Sequence, residues 1–348
     1  MVREPDPPDA ASCDLPDDEV LNDILLQRAE SGERHCHHRP LEAPRWVGPG
    51  DAGHMRGGDA VMALPLETAT YVLPWWIMKN HHVANLLLEK LPVMVVLCEA
   101  CSTASAFDRL VEGQRLHFRV DGKYNGTHIL LDDETGSHWT PFNGLAIAGP
   151  LRGTQLRKLL MHQCRWAELR VMFDNILVPD GEGESREGHG SGFPNPFVQR
   201  PVPFARQTIK DLDQRLPEQE LVLGVEVGEH ARTYRLQTIH DAGLVLPDVL
   251  GDTPVVVMAA RNTWFATAFD ARVDGRVLSF IKESGRASWR DRETGSRWDF
   301  SGKAISGPLL GKRLAYVSCG VEKWFAWAAA HPGVDIHVPP GQEEESGD

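Results

Sequence analysis

An internal repeat constrains the fold of this chain more than any other feature of its sequence. Residues 132–139 (DDETGSHW) return as residues 291–298 (DRETGSRW), and residues 144–151 (GLAIAGPL) return as residues 302–309 (GKAISGPL). Two further pairs of segments repeat in the same order: PVMVV at 92–96 with PVVVM at 254–258, and AFD at 106–108 with AFD at 268–270. Self-similarity at a fixed spacing, here about 160 residues, is the signature of a repeated structural unit. The sequence therefore predicts a tandem duplication.

The repeat, together with composition, divides the chain into five parts. We predict a partly disordered N-terminal extension, a first repeat unit with the candidate site, a linker, a second and degenerate repeat unit, and an acidic tail, at residues 1–58, 59–178, 179–217, 218–338 and 339–348. The linker is rich in glycine and proline, a composition that favours a flexible or extended connector. A chain of 348 residues is long enough for two domains.

The apolar residues of each unit form short runs bounded by Gly, Pro, Asp or Asn, which is typical of strands. Examples are residues 221–227 and 254–258. The dipeptides at 121–122 and 274–275, both Asp-Gly, are predicted hairpin turns. A helix is predicted at 321–330, before a His-Pro-Gly stop. We therefore expect an α+β fold that is strand-rich, with mainly antiparallel sheets and few helices, in two homologous units in tandem.

Charge and hydropathy exclude two classes of partner. The chain has 49 acidic and 36 basic side chains and a formal net charge of −13, which repels phosphate backbones, so nucleic acid is not an expected partner. No segment approaches the roughly 20 apolar residues of a membrane span, and the first residues lack the basic start and apolar run of a signal peptide. We expect a cytoplasmic protein that has no membrane partner.

Several motifs together resemble a known family. Residues 222–227 (VLGVEV), 93–101 (VMVVLCEAC) and 107–109 (FDR), with the Glu-Thr-Gly-Ser-x-Trp and Gly-Pro-Leu-x-Gly motifs, are similar to the bacterial domain-of-unknown-function family 3179. The resemblance covers most of both repeat units and implies no established activity. Family members carry Cys-Pro-Leu-Cys after the strand and His-Glu-x-x-Asn-Asp before it. The matching positions here, 98–101 (CEAC) and 81–86 (HHVANL), lack the proline and the final aspartate.

Only the first unit keeps side chains suited to bind a transition metal. Each candidate ligand is replaced in the second unit, the pairs being Cys98 and Ala260, Cys101 and Thr263, His81 and Gly243, and His82 and Leu244. A Cys-x-x-Cys at a strand end places two sulfurs within reach of one ion, and a histidine about sixteen residues earlier adds a third ligand. Thiolate and imidazole suit zinc, copper or iron better than magnesium or calcium. We predict a site for one of these metals at Cys98, Cys101, His81 and His82, with no catalytic residue assigned.

Other interpretations of the same residues stay open. The cluster at 34–38 (RHCHH) could supply a fourth ligand, which would make the site structural, whereas an open position would make it catalytic. The two thiols could instead be a redox pair, or small buried hydrophobic side chains. Our hypothesis is a metal-binding protein of unknown substrate, with a redox or metal-dependent enzyme included. The alternative is a non-catalytic binding or scaffold protein with structural cysteines, whose small-molecule or protein partner is unknown.

The residues that both units share are predicted to serve the scaffold. These residues are Glu134, Gly136, Trp139, Gly149 and Pro150, each of which recurs in the unit that has no thiol pair. We therefore interpret them as turn and core residues.

Overall fold

The computed structural model describes residues 38–186, 208–209, 211–261, 263–283 and 289–339. The predictions for residues 1–37, for most of the linker and for the acidic end of the chain fall outside these residues.

Fifteen strands form the first half of the described chain. They are β1 Trp46–Val47, β2 Ala60–Pro65, β3 Thr70–Pro74, β4 Val83–Leu88, β5 Leu91–Cys98, β6 Thr103–Asp108, β7 Leu110–Val111, β8 Gln114–Arg115, β9 Phe118–Tyr124, β10 Thr127–Asp132, β11 His138–Trp139, β12 Ala146–Ala148, β13 Lys158–Leu159, β14 His162–Arg165 and β15 Ile176–Pro179. Their main sheets have the orders β1-β15-β3-β2-β14, β13-β6-β5-β4 and β12-β11-β10-β9, and β7 pairs with β8.

The second half forms a comparable set of sheets. Its strands are β16 Leu221–Val227, β17 His230–Arg235, β18 Val245–Leu250, β19 Thr253–Ala259, β20 Ala266–Asp270, β21 Arg272–Val273, β22 Arg276–Val277, β23 Phe280–Lys282, β24 Trp289–Asp291, β25 Arg297–Trp298, β26 Ala304–Ser306, β27 Ala315–Tyr316, β28 Ser318–Lys323 and β29 Asp335–Ile336. The sheet orders are β28-β16-β17-β29, β18-β19-β20-β27 and β23-β24-β25-β26, and β21 pairs with β22.

The expected strand-rich, mainly antiparallel character is confirmed. In the described residues, the strand pairings are antiparallel except β15 with β3 and β17 with β29. The helices there are short: α1 Trp75–Met78, α2 Trp166–Met172, α3 Leu236–Asp241 and α4 Trp324–Ala330. No helix in this part of the chain is long and apolar enough to span a membrane.

One local prediction was wrong, and another was confirmed except at its first three residues. The helix predicted at 321–330 begins only at Trp324, because the chain up to Lys323 is held in strand β28, which pairs with β16 over its whole length. The predicted turn at Asp121 lies inside strand β9, and the chain turns instead at Asn125-Gly126, where both φ angles are positive. The other predicted turn is confirmed at Asp274, between β21 and β22.

The two halves pack against each other through shared hydrophobic cores. One core joins Cys98 and Cys101 of the first half to Val222, Trp324 and Trp327 of the second. Strand β28 of the second half also packs against β6 of the first. The loop that carries the thiols is therefore covered by the opposite half.

Candidate functional site

The thiol pair lies in the loop that joins β5 to β6. Cys98 is the last residue of β5 and pairs with Thr103, the first residue of β6. Ser102 reverses the chain with φ 59°, in the left-handed region. Cys98 is 1% exposed and Cys101 is fully buried. The strand pairing thus holds both thiols side by side in a site from which water is excluded.

Hydrogen bonds around the two sulfurs favour one thiolate. Cys101 Sγ lies 3.0 Å from Thr103 Oγ1 and 3.3 Å from Thr127 Oγ1. Burial raises the pKa of Cys98, but hydrogen bonds from the side chain and backbone of Cys101 outweigh it. The Thr127 hydroxyl and the His128 backbone contribute further, so that the pKa falls to about 7. Burial, then the bond to Cys98 and its charge, raise the pKa of Cys101 well above its ordinary value. The pair therefore shares one proton more readily than it holds two.

A lysine from the second half is fixed against the thiol loop. The Lys323 backbone N–H donates to Cys101 O at 3.0 Å, and its Nζ donates to Ala100 O at 3.0 Å. Burial lowers the pKa of Lys323, while the charges of Cys101 and Cys98 act in the opposite direction. An ammonium group beside the sulfurs is a natural counter-charge for thiolates.

A buried carboxyl group stands next to this lysine in the chain. Glu322 is fully buried, and no hydrogen-bond partner for either of its carboxyl oxygens lies among the described residues. Burial raises its pKa to about 8, against the opposing charge of Lys158, and Glu226 and Cys98 add to the increase. An uncompensated buried carboxylate is costly, so Glu322 is neutral over most of the physiological range. The charge of Cys98 acts on this carboxyl group, so the ionisation of the two groups is linked.

His81 does not join the sulfurs. Its ring Nδ1 lies 2.6 Å from Arg39 O, and its Nε2 lies 2.7 Å from Glu184 Oε1. Both ring nitrogens are therefore occupied by other partners. The structure gives His81 the role of fastening the segment around Glu184 to the first half.

His82 is buried between two other imidazole rings. Its ring packs edge to face against His38 on one side and His128 on the other, with centroid distances of 4.5 and 4.6 Å. Burial lowers the pKa of His82 to about 4, and the charge of His38 adds to the effect. Burial also lowers the pKa of His128, and within the described part of the chain nothing bonds to its Nδ1 or to that of His82. Of the predicted histidine cluster at residues 34–38, His38 contacts the His82 ring. Residues 34–37 lie outside the described chain.

The expected set of four ligands is not brought together. Within residues 38–186, 208–209, 211–261, 263–283 and 289–339, no group of three or more His, Cys, Asp or Glu side chains is placed to hold one metal ion. The thiols converge as predicted from their spacing, but the imidazole of His81 is held by hydrogen bonds elsewhere.

The residues that the second half contributes near the thiols were hard to predict from the sequence. Glu322 and Lys323 lie in the opposite half of the chain, and only the packing of β28 on β6 places them there. One signal was available: Lys323 and Arg165 are both basic residues directly before a tryptophan, Trp324 and Trp166.

Fold and site together define a strand-rich protein with a buried Cys-x-x-Cys pair. The model of a family described as "Protein of unknown function (DUF3179)" matches residues 40–334, most of the chain. The chain belongs to this family, as the motif resemblance indicated. No curated protein and no solved structure matches the chain.

Proposed function

We propose that this protein binds one soft transition-metal ion through the thiolates of Cys98 and Cys101, and that the ion is copper(I). The observation that carries the proposal is the convergence of two buried sulfurs without a third protein ligand in the described residues. Structural zinc sites use four protein ligands and catalytic zinc sites three. Thiolates also select copper(I), which, unlike zinc, is satisfied by two thiolates in a linear arrangement.

The surroundings of the thiols support this choice. Two thiolates and copper(I) carry one net negative charge, and the Lys323 ammonium is fixed beside them on Ala100 O. The site is dry, since both cysteines are almost completely buried. Low polarity and exclusion of solvent protect a monovalent copper ion from oxidation and strengthen its electrostatic attraction to sulfur.

We also propose that the two halves descend from one duplicated unit, of which only the first has a metal site. The support comes from matching local structure. Trp139 Nε1 donates to Asp132 at 2.8 Å, and Trp298 Nε1 donates to Asp291 at 2.9 Å. Thr135 N and Thr294 N bond to the same two aspartates in the same way. The second unit would then act as a support that supplies Lys323 to the first.

The metal proposal is tested by anaerobic titration of the purified protein with copper(I) against a chromophoric copper(I) chelator. We expect the wild-type chain to take one ion from the chelator and the variants Cys98→Ser and Cys101→Ser to take none. Cys164→Ser is the matched control, because Cys164 is also a buried free thiol but lies on strand β14. A wild-type chain that takes no copper, or equal uptake by wild type and Cys98→Ser, would leave a non-catalytic scaffold with structural cysteines as the better interpretation.

A second candidate function is dithiol–disulfide exchange, which the hydrogen bond between the two thiols favours. In that case Cys98 would attack a disulfide of a partner molecule, and Cys101 would then displace the partner's sulfur and close the Cys98–Cys101 disulfide. The partner molecule is released as a dithiol, having gained two electrons and two protons. Equilibration with a dithiol–disulfide buffer, followed by alkylation of free thiols and mass spectrometry, tests it. Loss of both alkylation sites together supports exchange, whereas thiols that stay reduced in the most oxidising buffer exclude it.

A further inference from the structure

The second half contains a surface cavity of about 850 Å³ between β18, β19 and the segment around β22 and β23. Its lining includes Asp248, Ala271, Val277, Leu278 and Lys282. The volume lies in the range typical of small-molecule sites.

Ala271 occupies the position that Arg109 occupies in the first half. The Leu116 N–H donates to Arg109 O at 3.0 Å, and the Leu278 N–H donates to Ala271 O at 2.9 Å. Each residue directly follows the last residue of the strand that precedes it, β6 or β20. The backbone therefore places the two side chains toward equivalent spaces.

The first half fills its space with the Arg109 side chain. The guanidinium donates from Nη1 to Leu116 O at 2.6 Å and from Nη2 to Leu86 O at 3.3 Å. Arg109 is only 4% exposed. Two backbone carbonyls on either side of a cleft thus hold one guanidinium.

The second half keeps the cleft and lacks the guanidinium. Leu278 corresponds to Leu116 through the hydrogen bonds given above. Asp248 corresponds to Leu86, because it pairs with Val255 at the position where Leu86 pairs with Val93. Both Asp248 and Leu278 line the cavity.

We propose that this cavity binds a guanidinium group carried on a short aliphatic chain, with the carbonyls of Asp248 and Leu278 as acceptors and the apolar walls around the chain. The site is separate from the thiol pair, and its existence does not depend on the proposed metal binding. A planar donor with several N–H groups can bond to two carbonyl oxygens at once, as Arg109 does in the first half.

Two cations at the cavity limit the ligand. Lys282 and Arg292 both line it, and Lys282 Nζ lies 5.1 Å from the centre of the Trp289 ring. Both charges repel a cation, so a guanidinium group must gain enough from the carbonyl acceptors to outweigh this repulsion. A carboxylate is the competing chemistry, and the experiment must distinguish the two.

The test is a titration of the full-length protein with ethylguanidine and, separately, with butyrate, followed by nuclear magnetic resonance chemical shifts. We expect ethylguanidine to shift resonances of residues around Ala271 and to bind roughly tenfold or more tightly than butyrate. Ala271→Arg, which supplies the guanidinium internally, should abolish binding. Ala271→Leu fills the space without adding a charge. If the arginine variant fails to fold, the leucine variant is used instead and should also abolish binding. Tighter binding of butyrate, or equal binding of ethylguanidine to wild type and both variants, would overturn the proposal.

A reciprocal variant in the first half gives an independent measurement. Arg109→Ala empties the equivalent cleft, so its thermal unfolding midpoint should fall and should be partly restored by millimolar ethylguanidine. The same concentration of butyrate serves as the control. Failure of ethylguanidine to raise the midpoint more than butyrate does would contradict guanidinium recognition by this type of cleft.

Discussion

The thiol loop at residues 98–103 and the connection of the second half, described at residues 260–261 and 263–265, join corresponding strands but differ in chemistry. Cys101 Sγ lies 3.8 Å from Cys98 O, and Thr263 Oγ1 donates to Ala260 O at 3.0 Å. Each loop returns the chain to the neighbouring strand of its sheet. A connection between these strands therefore does not require thiols.

The surroundings of the two loops differ in polarity. Lys323 bonds to a carbonyl of the thiol loop, whereas Arg165, which precedes a helix in the same way, lies over the Trp264 ring at 4.4 Å. The second loop packs Phe265 against Phe300, with ring centroids 4.8 Å apart. One loop thus has a soft-donor pair with a cation beside it, and the other is part of an aromatic core. If the two halves are the duplicated units proposed above, their turns and core have been kept in both while the described residues hold a thiol pair at this connection only in the first.

The largest expected effect tests the shared scaffold. Trp139→Ala and Trp298→Ala should each lower the free energy of unfolding by about 3–5 kcal/mol, because each removes a fully buried indole and its hydrogen bond to aspartate. Chemical denaturation measures both. A loss below about 1 kcal/mol at either tryptophan would break the proposed equivalence of the two units.

The next effect concerns the buried carboxyl group. The pKa of Glu322 is raised from 4.5 to about 8 by burial, so the folded state holds a proton that the unfolded state releases. Stability should therefore fall as pH rises through 4.5 and stop falling above 8. Glu322→Gln should remove this dependence and stabilise the metal-free protein by about 3 kcal/mol at pH 7.

Glu226 provides the control of opposite sign. Burial raises its pKa, but the His331 hydrogen bond and the charge of Lys158 outweigh burial and lower the pKa from 4.5 to about 2. The stability that the Glu226 carboxylate contributes is present above pH 4.5 and is lost as the pH falls toward 2. Glu226→Gln should therefore destabilise the protein at pH 7. Denaturation curves across this pH range that show the same sign for both variants would contradict the electrostatic difference.

A smaller effect is expected when the thiols are transplanted. The double variant Ala260→Cys with Thr263→Cys places a Cys-x-x-Cys on the second loop, but Arg165 is stacked on Trp264 there rather than fixed beside the new sulfurs. We expect a second copper(I) ion to bind roughly tenfold or more weakly than the first, as measured by chelator competition. Equal affinity at the two loops would show that Lys323 and the polar surroundings are unimportant.

The smallest effect lies at the protein surface. His117 Nδ1 and Ser279 Oγ hold Glu134 and Glu293 in matching places. Substitution of His117 or of Ser279 by alanine should lower the free energy of unfolding by less than about 1 kcal/mol, because both sites are solvent-exposed. Thermal unfolding of the two variants should agree closely. A large loss at one of them would reveal a difference between the units that the contacts do not show.

The sequence predicted the parts of the fold that depend on local chemistry. Strand β16 was predicted residue for residue, and Asp274-Gly275 forms the predicted turn, because apolar runs and turn residues act over short distances. The turn predicted at Asp121-Gly122 does not form, because the pairing of β9 with β10 continues past it to Tyr124, with a register shift opposite Ile129 and Leu130 that depends on the partner strand. Local signals alone could not locate that irregularity.

The candidate site was predictable only in its thiol pair. Cys98 and Cys101 are close in sequence, so their spacing alone indicates their convergence. The contribution of Lys323 requires the packing of one half on the other, and the position of His81 depends on Glu184, more than a hundred residues away. Long-range contacts of this kind leave no spacing pattern in a single sequence.

X-ray absorption spectroscopy of the copper(I)-loaded protein tests the central claim most directly. Two sulfur neighbours and no imidazole nitrogen around the copper would agree with coordination by Cys98 and Cys101 alone. A nitrogen neighbour that disappears in His82→Ala or His81→Ala, or a coordination number of four, would contradict it.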